Sequence, residues 1–372
     1  MKVVFICAGG IVSGKEIMTV HTMSQLKAMG HDVSCIMATW GSPDFARLLD
    51  EHGIPHISLR LGFISKTFSF PAIRMTLHQA IYLPSLWILF SRYIRSVQPS
   101  VIIHTNFHHI FLLLPVMKKG KHVFYSHDPF PPSRFFLSLF RRFDKKIELF
   151  IGVSKFITKG LIALGLDEKK VVCVYNGISN HSPGSASAAR SPYTIGIVGQ
   201  VGEWKGHEDL IEALTPLLLA RNDVHLRIVG DGDPGFLDKL KQIVTRNKID
   251  SRVTFAGRIS GLANIYRGID IICLPSKFQE PFGLTAVEAM SFRIPFVCYD
   301  IGGLPEIVEN NSTGYVVPAG DINGLREKLT ALVDNPISIV TMGNNGYQRF
   351  INNFTIELST AELLIHLRKV AK

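Results

Sequence analysis

The chain has 372 residues, 47% hydrophobic and 19% charged, which is enough for two packed domains and too apolar for a disordered or fibrous protein. Its net charge of +10 sits in one half: residues 1–180 hold 21 Lys and Arg against 10 Asp and Glu, while residues 181–372 hold 19 against 20. The five cysteines, Cys7, Cys35, Cys173, Cys273 and Cys298, are scattered without C-x-x-C spacing, which argues against a zinc or redox motif and fits a reducing compartment.

The chain opens with an apolar strand, Val3 to Cys7, then a Gly-containing loop through Gly14, a helical pattern from about Lys15 to Met29, and a second strand, Val33 to Met37. That β-loop-α-β order is how a parallel doubly wound sheet begins. Further strands are expected at Val101 to His104, His122 to Tyr125, Leu149 to Val153 and Val171 to Tyr175. The opening apolar run is too short for a secretory signal, and no apolar run approaches the ~18 residues that span a bilayer. The expectation is a cytoplasmic protein, either free or peripheral on the inner face of a membrane.

Residues 179–192, rich in Ser, Ala, Gly and Pro, read as a linker after a first domain at 1–178. The alternation then restarts in 193–350, with strands at Tyr193 to Val198, His225 to Val229, Val253 to Phe255, Ile269 to Leu274 and Phe296 to Tyr299. A last helix within 351–372 could pack on either domain. The fold class is therefore α/β, two Rossmann-like doubly wound domains facing a cleft, with ligands expected beyond the carboxyl ends of the strands.

The most specific segment is PSKFQEPFGLTAVEAM, Pro275 to Met290, in which Glu280 lies on a loop and Glu288 one helix later, seven residues between them. Gly283 permits a tight turn. The helix that starts there offers the free N–H groups of its first residues, Leu284 and Thr285, as a phosphate seat. Glu288 can accept from the vicinal hydroxyls of a ribose, and Glu280 can reach the hydroxyls of a sugar. GGIVSGK is not a Walker A loop, because Glu16 follows Lys15, and it is not a G-x-G-x-x-G fingerprint, so ATPase and dehydrogenase readings fall away. Asp231-Gly232-Asp233 spells D-x-D but reads as a turn after a strand. His104, His108 and His109 lie in an apolar run that suggests packing, and no spacing marks a metal site. The stretch from Lys118 to Lys146 interleaves Phe135, Phe136, Phe140 and Phe143 with cations, as suits a segment seated at an anionic membrane surface.

These segments resemble the retaining glycosyltransferases of the two-domain GT-B type, family 4, whose hallmark is E-x7-E. The resemblance extends over VGQVGEWKGHEDLIEA, LRIVGDGD, YRGIDIICLPS, DIGGLPEIV and TGYVVPAGD in the second half. It is looser over GGIVSGKE, YSHDP, VSKF and YNGI in the first. It implies that Glu280 contacts the transferred sugar, Glu288 the nucleotide ribose, and Lys205 the donor diphosphate. His127 would approach the donor sugar, and Gly10 lies on a loop whose backbone comes close to donor or acceptor. Gln200 stands where the family usually has Arg, so one phosphate cation is missing, and Arg258, on a loop by the base pocket, is the candidate to compensate. Arg293 stands where the family usually has Gly.

The resemblance further implies a nucleotide-sugar donor and a glycan or lipid-linked acceptor, with no metal and no nucleic acid, in lipopolysaccharide or surface polysaccharide synthesis. Two alternatives share parts of this pattern: a nucleotide-sugar epimerase of the same architecture, and a non-catalytic protein that binds membrane or nucleic acid through its basic half.

Overall fold

A computed structural model describes residues 1–9, 12–61, 81–118, 121–181 and 192–372. It divides into two units, Met1–Gly177 joined by Ile356–Lys372, and Ile178–Thr355. Gly10 and most of the expected linker, 182–191, lie outside the described residues.

In the first unit, β1 (Lys2–Cys7), β2 (Asp32–Ala38), β3 (His56–Leu59), β4 (Val101–His104), β5 (His122–Ser126), β6 (Ile147–Gly152) and β7 (Val171–Cys173) pair in parallel, in the order β3-β2-β1-β4-β5-β6-β7. In the second, β8 (Tyr193–Val198), β9 (Val224–Val229), β10 (Val253–Gly257), β11 (Ile271–Leu274), β12 (Phe296–Tyr299) and β13 (Gly314–Val317) pair in parallel, in the order β10-β9-β8-β11-β12-β13. The two expected doubly wound domains are present. Helices cover the central strands, so runs such as Val3–Cys7 and Ile271–Leu274 are buried along their whole length, which explains their unbroken apolarity. In each sheet the strand order reverses between two adjacent strands, β1 and β4 in one and β8 and β11 in the other, the position beyond whose carboxyl ends ligands bind in sheets of this kind.

The helices start where polar caps satisfy their free N–H groups. Ser154 accepts from Ile157 N and Asp233 from Phe236 N, so the second carboxylate of the D-x-D sequence is a helix cap. Asp231 accepts from Gly232 N in the same turn. The last helix, Ile356–Val370, packs in the first unit, where Ser359 Oγ donates to Tyr175 O at 2.6 Å. The preceding helix runs Pro336–Asn353, so position 350 lies inside it and the division between the units falls after Thr355.

The structure corrects one expectation about the aromatic basic segment. In the helix Arg134–Phe143, Phe136, Leu139, Phe140 and Phe143 share the buried face and join Phe107, Phe124, Phe130 and Phe150 in one aromatic cluster. Helical periodicity carries three of the four phenylalanines into the core and leaves Phe135 outside.

Arg293 follows the helix Leu284–Ser291 with φ +58°, a conformation that favours glycine. Its guanidinium lies 3.8 Å from the Tyr347 ring centroid and donates to Asn344 Oδ1 at 2.9 Å, which offsets the backbone cost. Arg293→Ala keeps the strained backbone and loses both contacts, so it lowers stability by about 1 kcal/mol, whereas Arg293→Gly relieves the strain and costs less; paired thermal melts check the order.

Candidate functional site

The second unit assembles its chemistry at the carboxyl ends of β8 and β11, on either side of the strand-order reversal. After β8 the chain turns through Gly199 into a 3-10 turn, Glu203–Lys205, closed by Gly206 with φ +74°. After β11 it enters the loop Pro275–Gly283. The two loops touch backbone to backbone: Lys277 N donates to Trp204 O at 2.8 Å, and a side chain on Gly206 would place its Cβ 1.9 Å from Pro275 O.

That packing aims Lys205 at Glu280. Lys205 Nζ donates to Glu280 Oε1 at 2.5 Å, and both side chains are largely covered, at 17% and 15% exposure. Fully buried Ser276 donates its hydroxyl to the same oxygen at 2.7 Å. The main chain of Glu280 is held from behind, because Gly303 N donates to Glu280 O at 2.7 Å and Gly302, with φ +62°, lies so close that a Cβ would meet Glu280 O at 2.3 Å. Lys277, two residues past Pro275, forms an ion pair with buried Asp209 at 2.6 Å, and Asp209 also accepts from Tyr299 OH at 3.1 Å. The loop is therefore anchored on both sides of the carboxylate.

Gly283, at φ +105°, precedes the helix Leu284–Ser291 and provides no side-chain cap. The N–H groups of Leu284 and Thr285 open the helix where its positive dipole end lies. One turn on, half-buried Glu288 accepts from the Tyr266 hydroxyl at 2.7 Å. Desolvation pushes the Glu288 carboxyl above its ordinary range, and the Tyr266 hydrogen bond opposes that rise. The Tyr266 ring stacks on Phe292 with centroids 5.1 Å apart. Tyr266→Phe removes this donor and is expected to lower stability by about 1–2 kcal/mol, read by a thermal melt.

Gln200 and Arg258 are both exposed, the first just past β8 and the second just past β10, with β9 between them. Neither is brought into contact with Lys205 or Glu280.

In the first unit, His127 follows β5 and is buried. Burial, reinforced by the Lys15 charge, lowers its imidazole to about 3, so the ring is neutral at physiological pH. Its Nε2 has no protein partner among the described residues. Lys15, at the start of the helix Gly14–Ala28, pairs with Asp128 at 2.7 Å. His109, on the helix Phe107–Leu113, is lowered to about 3 by burial, with His108 and Lys15 adding to it. His104 Nε2 and His122 Nδ1 lie 2.9 Å apart in the core. Among the described residues no cluster of three His, Cys, Asp or Glu could hold a metal ion.

The sequence singles out Glu280 and Glu288 by their spacing and Lys205 by resemblance, but not the groups that hold them. Tyr266 and Ser276 lie in the quoted run YRGIDIICLPS, but only the fold shows that they face the two carboxylates.

With this geometry in hand, comparison with known proteins gives the class. Residues 12–181 match the family model Glycosyltransferase Family 4, and residues 183–349 match the model Glycosyl transferases group 1. The chain is built of these two glycosyltransferase domains. It is 29% identical over 168 residues to the lipopolysaccharide core biosynthesis mannosyltransferase LpsB of Rhizobium meliloti (strain 1021), over 44% of this chain and 48% of that one. The chain spans about half the length of the curated relatives it matches. In fold it is similar to a glycosyltransferase from Rickettsia africae ESF-5, with TM-score 0.82 and 21% identity over 100% of this chain and 99% of that one. It is also similar to Anabaena HepE solved with UDP and glucose, with TM-score 0.78 and 20% identity over 99% of each chain. The architecture is GT-B.

Proposed function

We propose that the chain is a retaining hexosyltransferase that moves a sugar from a nucleoside-diphosphate donor to a hydroxyl of a glycan or lipid-linked acceptor in lipopolysaccharide or surface polysaccharide assembly. The observation that carries this reading is the Lys205–Glu280 contact beside the uncapped start of the helix Leu284–Ser291. A cation and free N–H groups lie together with a carboxylate, as a departing diphosphate next to a sugar requires. The similarity to a lipopolysaccharide core mannosyltransferase supports the acceptor class.

In the proposed step the bond from the sugar's anomeric carbon to the diphosphate oxygen breaks, and a bond to the acceptor oxygen forms on the same face. The acceptor proton passes to the leaving diphosphate. Lys205 and the N–H groups of Leu284 and Thr285 stabilise the charge that the diphosphate gains, Glu280 orients the sugar, and Glu288 holds the ribose hydroxyls. Gln200 donates a hydrogen bond but brings no charge, so neutralisation rests on Lys205, with Arg258 at the base side. His127, a neutral imidazole, can donate or accept a hydrogen bond at a sugar hydroxyl. No protein nucleophile is used.

A thermal-shift panel of UDP, GDP, ADP, TDP and CMP, each with EDTA and then with Mg²⁺, tests the donor site. One diphosphate is expected to raise the melting temperature equally in both conditions. No shift with any nucleotide overturns the reading. With the preferred sugar donor alone, slow hydrolysis is expected, and an epimerised sugar nucleotide would replace the transferase with an epimerase. NMR of the anomeric linkage in the product tests retention.

A further inference from the structure

From Gly53 to Phe143 the chain carries 11 Lys and Arg and a single acid, Asp128, over 91 residues. That acid is already paired with Lys15. The helices of this stretch show where the excess charge goes. On Arg134–Phe143 the aromatic face is consumed by the core, and the opposite face presents Arg134, Phe135, Ser138, Arg141 and Arg142, with Lys145 just beyond; all six are exposed. Arg134, Leu137, Ser138, Arg141, Arg142 and Lys145 line one surface groove. None of its four cations is paired with a carboxylate among the described residues.

The helix Leu83–Val97 has the same one-sided character. It contains no acid, and among its exposed positions Ile88, Leu89, Arg92 and Arg95 share one face by their i, i+4, i+7 spacing. Ile81, just before it, is 73% exposed, and Ile88 is 65% exposed. The two helices are neighbours through the helix Phe107–Leu113: Trp87 Nε1 donates to Leu112 O at 2.8 Å, and the Phe107 and Phe136 rings lie 5.6 Å apart. Phe111 is exposed between them.

We propose that this face of the first unit, Arg92, Arg95, Arg134, Arg141, Arg142 and Lys145 with Ile88, Leu89 and Phe135, is a docking surface for an anionic phospholipid bilayer. The one acid among these cations, Asp144, is paired with Lys170 at 3.1 Å, so the face keeps an excess of positive charge that complements a negatively charged leaflet. The exposed apolar groups are mainly aliphatic, which suits shallow contact with the boundary between headgroups and acyl chains. Single-stranded nucleic acid is disfavoured because the phenylalanines that could stack on bases, Phe136, Phe140 and Phe143, are in the core. The mode is adsorption, since no helix of the described residues is long and apolar enough to cross a membrane. The inference is independent of sugar transfer, because its test reads binding rather than turnover.

The experiment is co-sedimentation of the full chain with phosphatidylcholine vesicles, with and without about 30 mol% phosphatidylglycerol. Binding to the anionic vesicles alone is expected, and it falls steeply as salt is raised. The variant Arg134→Gln, Arg141→Gln, Arg142→Gln, Lys145→Gln is expected to lose at least about tenfold in partitioning, since each cation near an anionic leaflet is worth roughly fivefold. Its melting temperature stays near that of the parent, because all four side chains are exposed. Absence of wild-type binding to anionic vesicles, equal binding by the variant, or binding that persists unchanged in high salt overturns the proposal. Tighter binding of a single-stranded RNA oligomer through the same four residues overturns it in favour of nucleic acid.

Discussion

Acidification from pH 7 to pH 5 is expected to remove most of the stability of the Met1–Gly177 unit while leaving the Ile178–Thr355 unit folded. In the first unit His109 and His127 are lowered to about 3 and His122 to about 4, each chiefly by burial. His104 is lowered in the same direction, by burial and by the neighbouring His122. In the unfolded chain these rings titrate near 6.5. Between that value and the native ones the unfolded state binds more protons than the folded state, so stability falls as pH falls. At pH 5 the difference is about 2 kcal/mol for each ring, or about 6 kcal/mol for the three, against a typical domain stability of about 5–15 kcal/mol.

The second unit has a smaller liability of this kind in His207, lowered to about 4 by burial, and a minor one in half-exposed His225. Thermal melts from pH 7.5 to 4.5 are expected to split into two transitions, the lower one moving steeply with pH. Limited proteolysis at pH 5 should then cut within residues 1–177. A first transition whose midpoint stays constant from pH 7 to pH 5 would sink the argument. His109→Leu, which fills the site without a titrating ring, is expected to flatten the slope by about a quarter to a third.

The division of labour between sequence and fold is visible in particular residues. Buried strands such as β1, β8 and β12 are legible because a parallel strand covered on both faces reads as a run of apolar residues. β3 and β13 escape notice: each lies at a sheet edge and is only partly buried, β3 with two polar positions and β13 opening on Gly314, so neither has the unbroken buried run that marks the equally short β12. Glu280 and Glu288 can be read from spacing because the loop and helix that carry them are continuous in sequence. Their partners cannot, since Lys205 is 75 residues from Glu280 and Tyr266 is 22 from Glu288. The aromatic basic stretch shows the opposite failure. Adjacent letters looked alike, and only the helical period separates Phe135 from Phe136.

Lys205→Ala is expected to lower the rate of sugar transfer by about 10²–10³, or about 3–4 kcal/mol of transition-state stabilisation, while moving the melting temperature little. The charge on a departing diphosphate grows as its bond to the sugar breaks, so a cation fixed beside it acts most strongly in the transition state. The cost to folding is smaller because Glu280 does not depend on Lys205 alone: Ser276 Oγ still donates to it, and Gly303 N still holds its backbone. The pair is largely covered, so breaking it costs more than the ~1 kcal/mol of a surface pair, but these two remaining donors keep that cost below the loss of transition-state stabilisation. Lys205→Arg is not expected to rescue turnover, because a planar guanidinium does not fit where a compact ammonium lies 2.5 Å from Glu280 Oε1. Gly206→Ala separates position from charge. It leaves the lysine intact but requires a Cβ 1.9 Å from Pro275 O at φ +74°, so the loop must withdraw and carry Lys205 with it. Single-turnover rates should place Gly206→Ala near Lys205→Ala, with nucleotide-induced stabilisation reduced in both. If Lys205→Ala keeps a third or more of the parent rate, the leaving-group role assigned to Lys205 is wrong even where the nucleotide still binds.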